Sequence, residues 1–261
     1  MVRCGCRTVV DATPVGLGRS PERLVEISRR TGLNVVMGCG YYLEPTHPPR
    51  IADLDADAIA AELIDECTNG VADSGIRPGV IGEIGTGAEW SAREETVLRA
   101  AARAQTQTGL AMTIHLHPWS QQGTRVLDVL DEEGVDPAKV ILNHLTTAVS
   151  DDSYQLDLLH RGVFLAYDLF GFDHSLLGHG RYPPSDHDAA RMVVALAERG
   201  FLRQLLVSQD VGVKTRLRAY GGWGYGHLFK HVVPLLHELG LGEQECDELL
   251  VANPRRALEL S

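Results

Sequence analysis

The sequence predicts an α/β fold of the TIM type, a (β/α)8 barrel in which seven of the eight strands can be identified. Two patterns predict it. Short apolar runs, each suited to a strand buried on both faces, alternate with longer segments of helical period. The strand–helix pair recurs at roughly 30-residue spacing, the repeat of a parallel barrel. Length sets the bounds: 261 residues fall within the size of one such barrel. No Ser/Gly tract, charge block or compositional break divides the chain, so a single domain over 1–261 is expected.

The expected strands are 8–12 (TVVDA), 34–39 (NVVMGC), 79–84 (GVIGEI) and 111–115 (AMTIH), followed by 139–143 (KVILN), 162–167 (GVFLAY) and 204–208 (QLLVS). Helices fill the gaps, and several have readable ends. Ser20 and Pro21 supply an N-cap and a first-turn proline, and Gly32 supplies the stop. Ser91 and Glu94 have capping-box spacing ahead of an Ala-rich stretch that stops at Gly109. Helical patterns also occupy 123–133, 185–199 and 225–239.

Composition excludes several classes. A 44% hydrophobic, 23% charged chain is too apolar to be disordered. No run of 18 apolar residues is present to span a membrane as a helix, and the first ten residues lack the features of an export signal, so a cytoplasmic protein is expected. A net charge of −11 without a basic stripe argues against nucleic acid as the partner. Five scattered cysteines (Cys4, Cys6, Cys39, Cys67, Cys246) read as reduced thiols.

The chemistry concentrates where strands end. Glu83 lies in the third strand, His115 ends the fourth and His144 follows the fifth. Asp168 follows the sixth, and Gln209 and Asp210 follow the seventh. In a parallel barrel these ends share the face on which active sites are built. Any one of them reads as a core histidine or a helix cap, but two histidines and two carboxylates in register suit zinc or a related divalent ion. His117 lies two residues past His115, on the same face if the strand continues. Pro118 favours ending the strand, which leaves His115 as the ligand.

At the level of whole segments the chain resembles the phosphotriesterase-like family of the amidohydrolase superfamily, in particular the phosphotriesterase homology proteins whose metals are bridged by glutamate. The segments that carry the resemblance are 8–42, IGEIGTG (81–87), 94–115, 126–145, LLVSQD (205–210) and YGGWGYGHLFKHVVPLL (220–236). The resemblance implies a distorted barrel holding two divalent ions, zinc first, with cobalt or manganese as alternatives. By position it implies Glu83 as the bridging ligand, and His115 and His144 as ligands of the more exposed ion. It implies Asp210 as a ligand of the buried ion that also takes a proton from the attacking hydroxide, and Asp168 as the residue that passes the proton outward. Tyr41 and Tyr42 fall where related lactonases place a tyrosine near the leaving group; plain loop aromatics is the other reading of that pair. A small-molecule ester-like substrate is expected, and homodimers are common among such relatives.

One departure stands out. The family carries a His-x-His pair at the end of its first strand, and only seven residues, none of them histidine, precede the strand at 8–12. The missing strand and the missing ligand pair are therefore one absence, which leaves an open sheet edge. Three explanations compete: a natural start upstream of Met1, which is the favoured one, a natural truncation, or an element supplied by another chain. The leading functional expectation is a metal-dependent hydrolase whose activated hydroxide attacks a lactone, carboxylic ester or phosphoester. The alternative is a non-catalytic binding relative that lost a metal. Specificity is expected from loops 41–53, 169–187 and 211–224, which hold His47, His174, His179, His187, Arg216 and Trp223.

Overall fold

The computed structural model describes residues 1–172 and 182–259, so His174 and His179 lie outside the described residues. Two compact units make up the rest, one mainly Cys6–Leu142 and the other mainly Asn143–Arg256. The N-terminal unit runs β1 (Thr8–Asp11), α1 (Pro21–Thr31), β2 (Asn34–Cys39), α2 (Ala56–Asn69), β3 (Val80–Thr86), α3 (Ala92–Thr108), β4 (Met112–Leu116), α4 (Gly123–Glu132) and β5 (Val140–Leu142). Its strands are parallel and paired in chain order, β1 to β2 starting from Thr8 opposite Asn34 and ending at β4–β5. The C-terminal unit runs α5 (Asp152–His160), β6 (Phe164–Tyr167), α6 (Asp186–Leu196), β7 (Leu205–Val207), α7 (Val233–Glu238), α8 (Glu243–Asp247) and α9 (Asn253–Leu258). Here β6 and β7 pair in parallel from Leu165 opposite Leu205 to Tyr167 opposite Val207.

All seven expected strands form, each within two residues of its expected bounds. Burial explains why apolar runs rather than alternating ones mark them. Every residue of β4, β5 and β6 is buried, as strands covered by helices on one side and core on the other must be. β1 differs: exposed and half-buried residues alternate along it, and among the described residues it pairs with β2 alone.

Local chemistry sets the helix ends. Pro21 opens α1 and Gly32 closes it at φ +74°, a left-handed position that costs glycine little. Asp55, Ser91, Asp151 and Ser185 cap α2, α3, α5 and α6 by accepting the backbone N–H three residues on. The capping box at α3 is only half formed. Ser91 Oγ accepts the Glu94 N–H at 3.1 Å, but the buried Glu94 carboxylate turns away and accepts from Glu44 N at 3.1 Å and Gly87 N at 3.0 Å. It thereby ties down the loops that follow β2 and β3. The expected helix over 225–239 is split into a short turn, a wider helical turn and then α7, whose first turn holds Pro234; that residue has no N–H for a ladder from preceding turns.

Glycine decides the geometry of β3. Gly82 sits at φ +129°, and a Cβ there would lie 2.2 Å from the Thr113 carbonyl oxygen of β4. The strands therefore approach too closely for any side chain at the residue before Glu83. Gly82→Ala is expected to cost at least about 3 kcal/mol, strain and overlap together. Gly18→Ala is the control, because Gly18 has a similar positive φ but open space around it. It should lose only the backbone strain of about 1–2 kcal/mol. Thermal unfolding of the two variants measures the difference.

Candidate functional site

In the N-terminal unit, β3 carries Glu83 and β4 carries His115 in adjacent parallel strands. Glu83 Oε2 lies 3.9 Å from His115 Nδ1, and both side chains are largely shielded, at 18% and 7% exposure. Such a pair suits a shared cation, because a carboxylate and an imidazole at that separation leave room for an ion to contact each. Tyr42, just past β2, reaches the same imidazole. Its hydroxyl is 3.0 Å from Nδ1 and its ring meets the His115 ring edge to face at 4.7 Å. Tyr41 is placed differently. It is buried, and its hydroxyl donates to Glu62 Oε2 at 2.8 Å while accepting from Arg50; burial and the Glu62 carboxylate push the phenol well above its ordinary range, opposed by Arg50. Of the two tyrosines, Tyr42 is the one that touches a candidate ligand. Its carbonyl accepts from His47 Nε2 at 2.8 Å, which fixes the loop. β4 ends at Leu116, so His117 falls beyond the strand.

In the C-terminal unit, His144 adopts φ +66°, ψ +23°, a left-handed conformation that a non-glycine residue rarely holds without compensation. Asp168 provides it. Its carboxylate accepts the His144 backbone N–H at 3.0 and 3.2 Å and lies 3.0 Å from the imidazole Nδ1. With Nδ1 donating to a carboxylate, Nε2 carries the lone pair, the arrangement in which ligating histidines are held. The Asp210 N–H donates to the Asp168 carbonyl at 2.6 Å, so the residues after β6 and β7 are locked in register. Burial raises the Asp210 pKa, opposed by His144, raised further by Asp168 and opposed again by Arg216. A carboxylate with enhanced proton affinity is suited to accept a proton.

The sequence places Arg216 in one of the loops expected to set specificity. It is buried, donates to the Phe170 carbonyl at 2.7 Å and stacks its guanidinium 4.1 Å from the Phe172 ring centroid. Gln209 anchors the following segment by accepting from Leu228 N at 2.8 Å and donating to the Gly224 carbonyl at 3.1 Å. A second pair went unforeseen: buried His227 meets Asp186 at 2.5 Å, in a cluster with the rings of Trp223 and His231. Nothing in one-dimensional spacing links Asp186 to His227, 41 residues apart. His187 is exposed at the start of α6.

The sequence pattern of the phosphotriesterase family matches residues 1–258. The chain belongs to that family. The N-acetyltaurine hydrolase of Homo sapiens is 33% identical over 256 residues, covering 97% of this chain and 73% of that protein. The Dictyostelium discoideum protein of the same name is 30% identical over 260 residues, covering 99% and 70%. Among solved structures, a resiniferatoxin-binding protein from Rhodobacter sphaeroides superposes with a TM-score of 0.97 at 43% identity, over 98% of this chain and 72% of that one. The Escherichia coli phosphotriesterase homology protein, solved with phosphate in its active site, gives a TM-score of 0.89 at 30% identity over 99% and 86%. The fold is therefore the phosphotriesterase-like TIM barrel class, represented here by seven parallel strands among the described residues. No helix among the described residues is long and apolar enough to cross a membrane.

Proposed function

We propose that this chain is a metal-dependent hydrolase of an ester bond, with a lactone or carboxylic ester ahead of a phosphoester. An N-acyl amide joins that group because relatives 30–33% identical are N-acetyltaurine hydrolases. The observation that carries the metal dependence is the His144–Asp168 pair, an imidazole held by its Nδ1 so that Nε2 presents a lone pair. The residue types support it: Glu83 and His115 in the N-terminal unit and His144 and Asp210 in the C-terminal unit are two carboxylates and two imidazoles, a mixture that fits zinc, with cobalt or manganese as alternatives.

A bound divalent ion supplies Lewis acidity at the substrate's carbonyl or phosphoryl oxygen and makes water acidic enough to react near neutral pH. The chain's own groups do the rest. Glu83 offers two oxygens and one negative charge, which is what a bridging ligand must provide. Asp210 accepts the proton of the attacking water and Asp168 passes it outward while keeping the His144 ring in place. Tyr42 stands at the leaving group. The hydroxyl of Tyr41, its neighbour in the same loop, donates to Glu62.

A second reading is favoured by one finding: the structure with TM-score 0.97 is that of a protein described by what it binds. A substrate panel decides between them. The purified chain, supplied with Zn²⁺, Co²⁺ or Mn²⁺, is assayed on lactones, aryl esters, N-acetyltaurine and a phosphotriester. The hydrolase reading predicts turnover of at least one, lost on chelation and restored by metal. No turnover of any with any ion favours a binding protein.

A further inference from the structure

Two thiols in the N-terminal unit lie in contact far along the chain from each other. Cys39, the last residue of β2, and Cys67, in the last turn of α2, bring their Sγ atoms to 3.8 Å. Cys39 is fully buried and Cys67 half-buried. Arg19 clamps the residue before each of them. Its guanidinium makes a bidentate ion pair with Glu66, both bonds 2.7 Å, and also donates to the Gly38 carbonyl at 3.5 Å. Its side chain is only 4% exposed, so this clamp is shielded from solvent and holds the two backbones in fixed relation.

We propose that Cys39 and Cys67 are a redox-active pair that closes to a reversible disulfide on exposure to a hydroperoxide. The contact has to shorten from 3.8 Å to about 2.05 Å. Cys67 supplies the movement, because the final turn of α2 ends two residues later at Asn69, with Gly70 as its cap. The order of attack follows from access and charge. The hydrogen bond between the two sulfurs holds the Cys67 thiol below the ordinary value, against burial and Glu66, with Arg19 adding its positive field. That same hydrogen bond, together with burial, pushes Cys39 well above it. The Cys67 thiolate therefore attacks the terminal oxygen of the peroxide, whose O–O bond breaks, giving Cys67 sulfenic acid and hydroxide. Cys39 then attacks that sulfur, the S–O bond breaks and the Cys39 proton leaves with the hydroxyl as water. Overall, two thiols and one hydrogen peroxide give one disulfide and two waters.

Cys246 is the internal control. Burial raises its thiol, and no other cysteine stands against it among the described residues. Because Arg50 lies between Cys39 and Cys67, trypsin releases them in separate peptides. The purified wild-type chain is treated with a few equivalents of hydrogen peroxide, alkylated under denaturing conditions and mapped by mass spectrometry. The expected result is a Cys39–Cys67 cross-linked peptide as the dominant form of both residues, reversed by dithiothreitol, while Cys246 remains alkylated. In Cys39→Ser the sulfenic acid should persist on Cys67 and be trapped by dimedone; in Cys67→Ser, Cys39 should take no dimedone. The proposal is overturned if the wild-type chain keeps both thiols alkylable, if Cys67 proceeds to sulfinic acid without a cross-link, or if Cys246 oxidises first. The wild-type arm stands even if either variant fails to fold.

Discussion

Replacing Glu83 by glutamine is expected to abolish tight metal binding and to lower turnover by more than the ~10–100-fold that loss of an outer-sphere partner costs. Glutamine keeps the length of the side chain and one oxygen, so packing in β3 should survive and the stability change should be small. What it removes is the negative charge and the second ligand oxygen, the two properties a bridging position needs. The 3.9 Å approach of Glu83 to His115 makes the prediction specific, since His115 would keep its neighbour's shape while losing the charge beside it. His144→Ala should likewise lose tight metal binding, because it removes the imidazole that Asp168 holds. Metal content after extensive dialysis measures both. Full activity and full metal content in Glu83→Gln would show the bridging assignment to be wrong.

Asp210→Asn is expected to do the opposite: to retain metal and lose most of its turnover, by about 10²–10⁴-fold. The amide keeps an oxygen for coordination but does not accept a proton. Burial raises the proton affinity of Asp210, and its N–H is fixed to the Asp168 carbonyl, so its backbone should not shift on substitution. A parallel loss of metal and activity in Asp210→Asn would make it a structural ligand only. Retained activity would remove it from the reaction altogether.

How much of this was legible in the sequence differs by element. All seven strands announced themselves as short apolar runs, and β4, β5 and β6 show why: each is buried along its whole length. α3 was legible through its Ser91 cap and α1 through Pro21 and Gly32, although the Ser20 side chain makes no capping hydrogen bond. α2 was not, although Asp55 at its start, Ile59, Ala60 and Leu63 on one face and Gly70 past its end form a readable helix. It lies beside a proline-rich loop, and that loop's composition masked it. Glu83, His115, His144, Asp168 and Asp210 were legible as types because each falls within or shortly after an apolar run that forms a strand. The roles were only partly so. That Asp168 grips His144 through both backbone and ring depends on the left-handed turn at His144, which no spacing reveals. Tyr41 and Tyr42 look alike in sequence, and only the turn after β2 sends one hydroxyl to Glu62 and the other to His115. Arg216 and His227 were hidden for the same reason: their partners Phe170 and Asp186 lie tens of residues away.

Elemental analysis of the purified chain, before and after chelation and with hydrolysis followed on the same sample, tests the central claim most directly. The account predicts at least one zinc, cobalt or manganese ion per chain, removed together with activity by a chelator and restored together with it. Fewer than one ion per chain after incubation with each of those metals, or hydrolysis that persists undiminished in the metal-free sample, would contradict it.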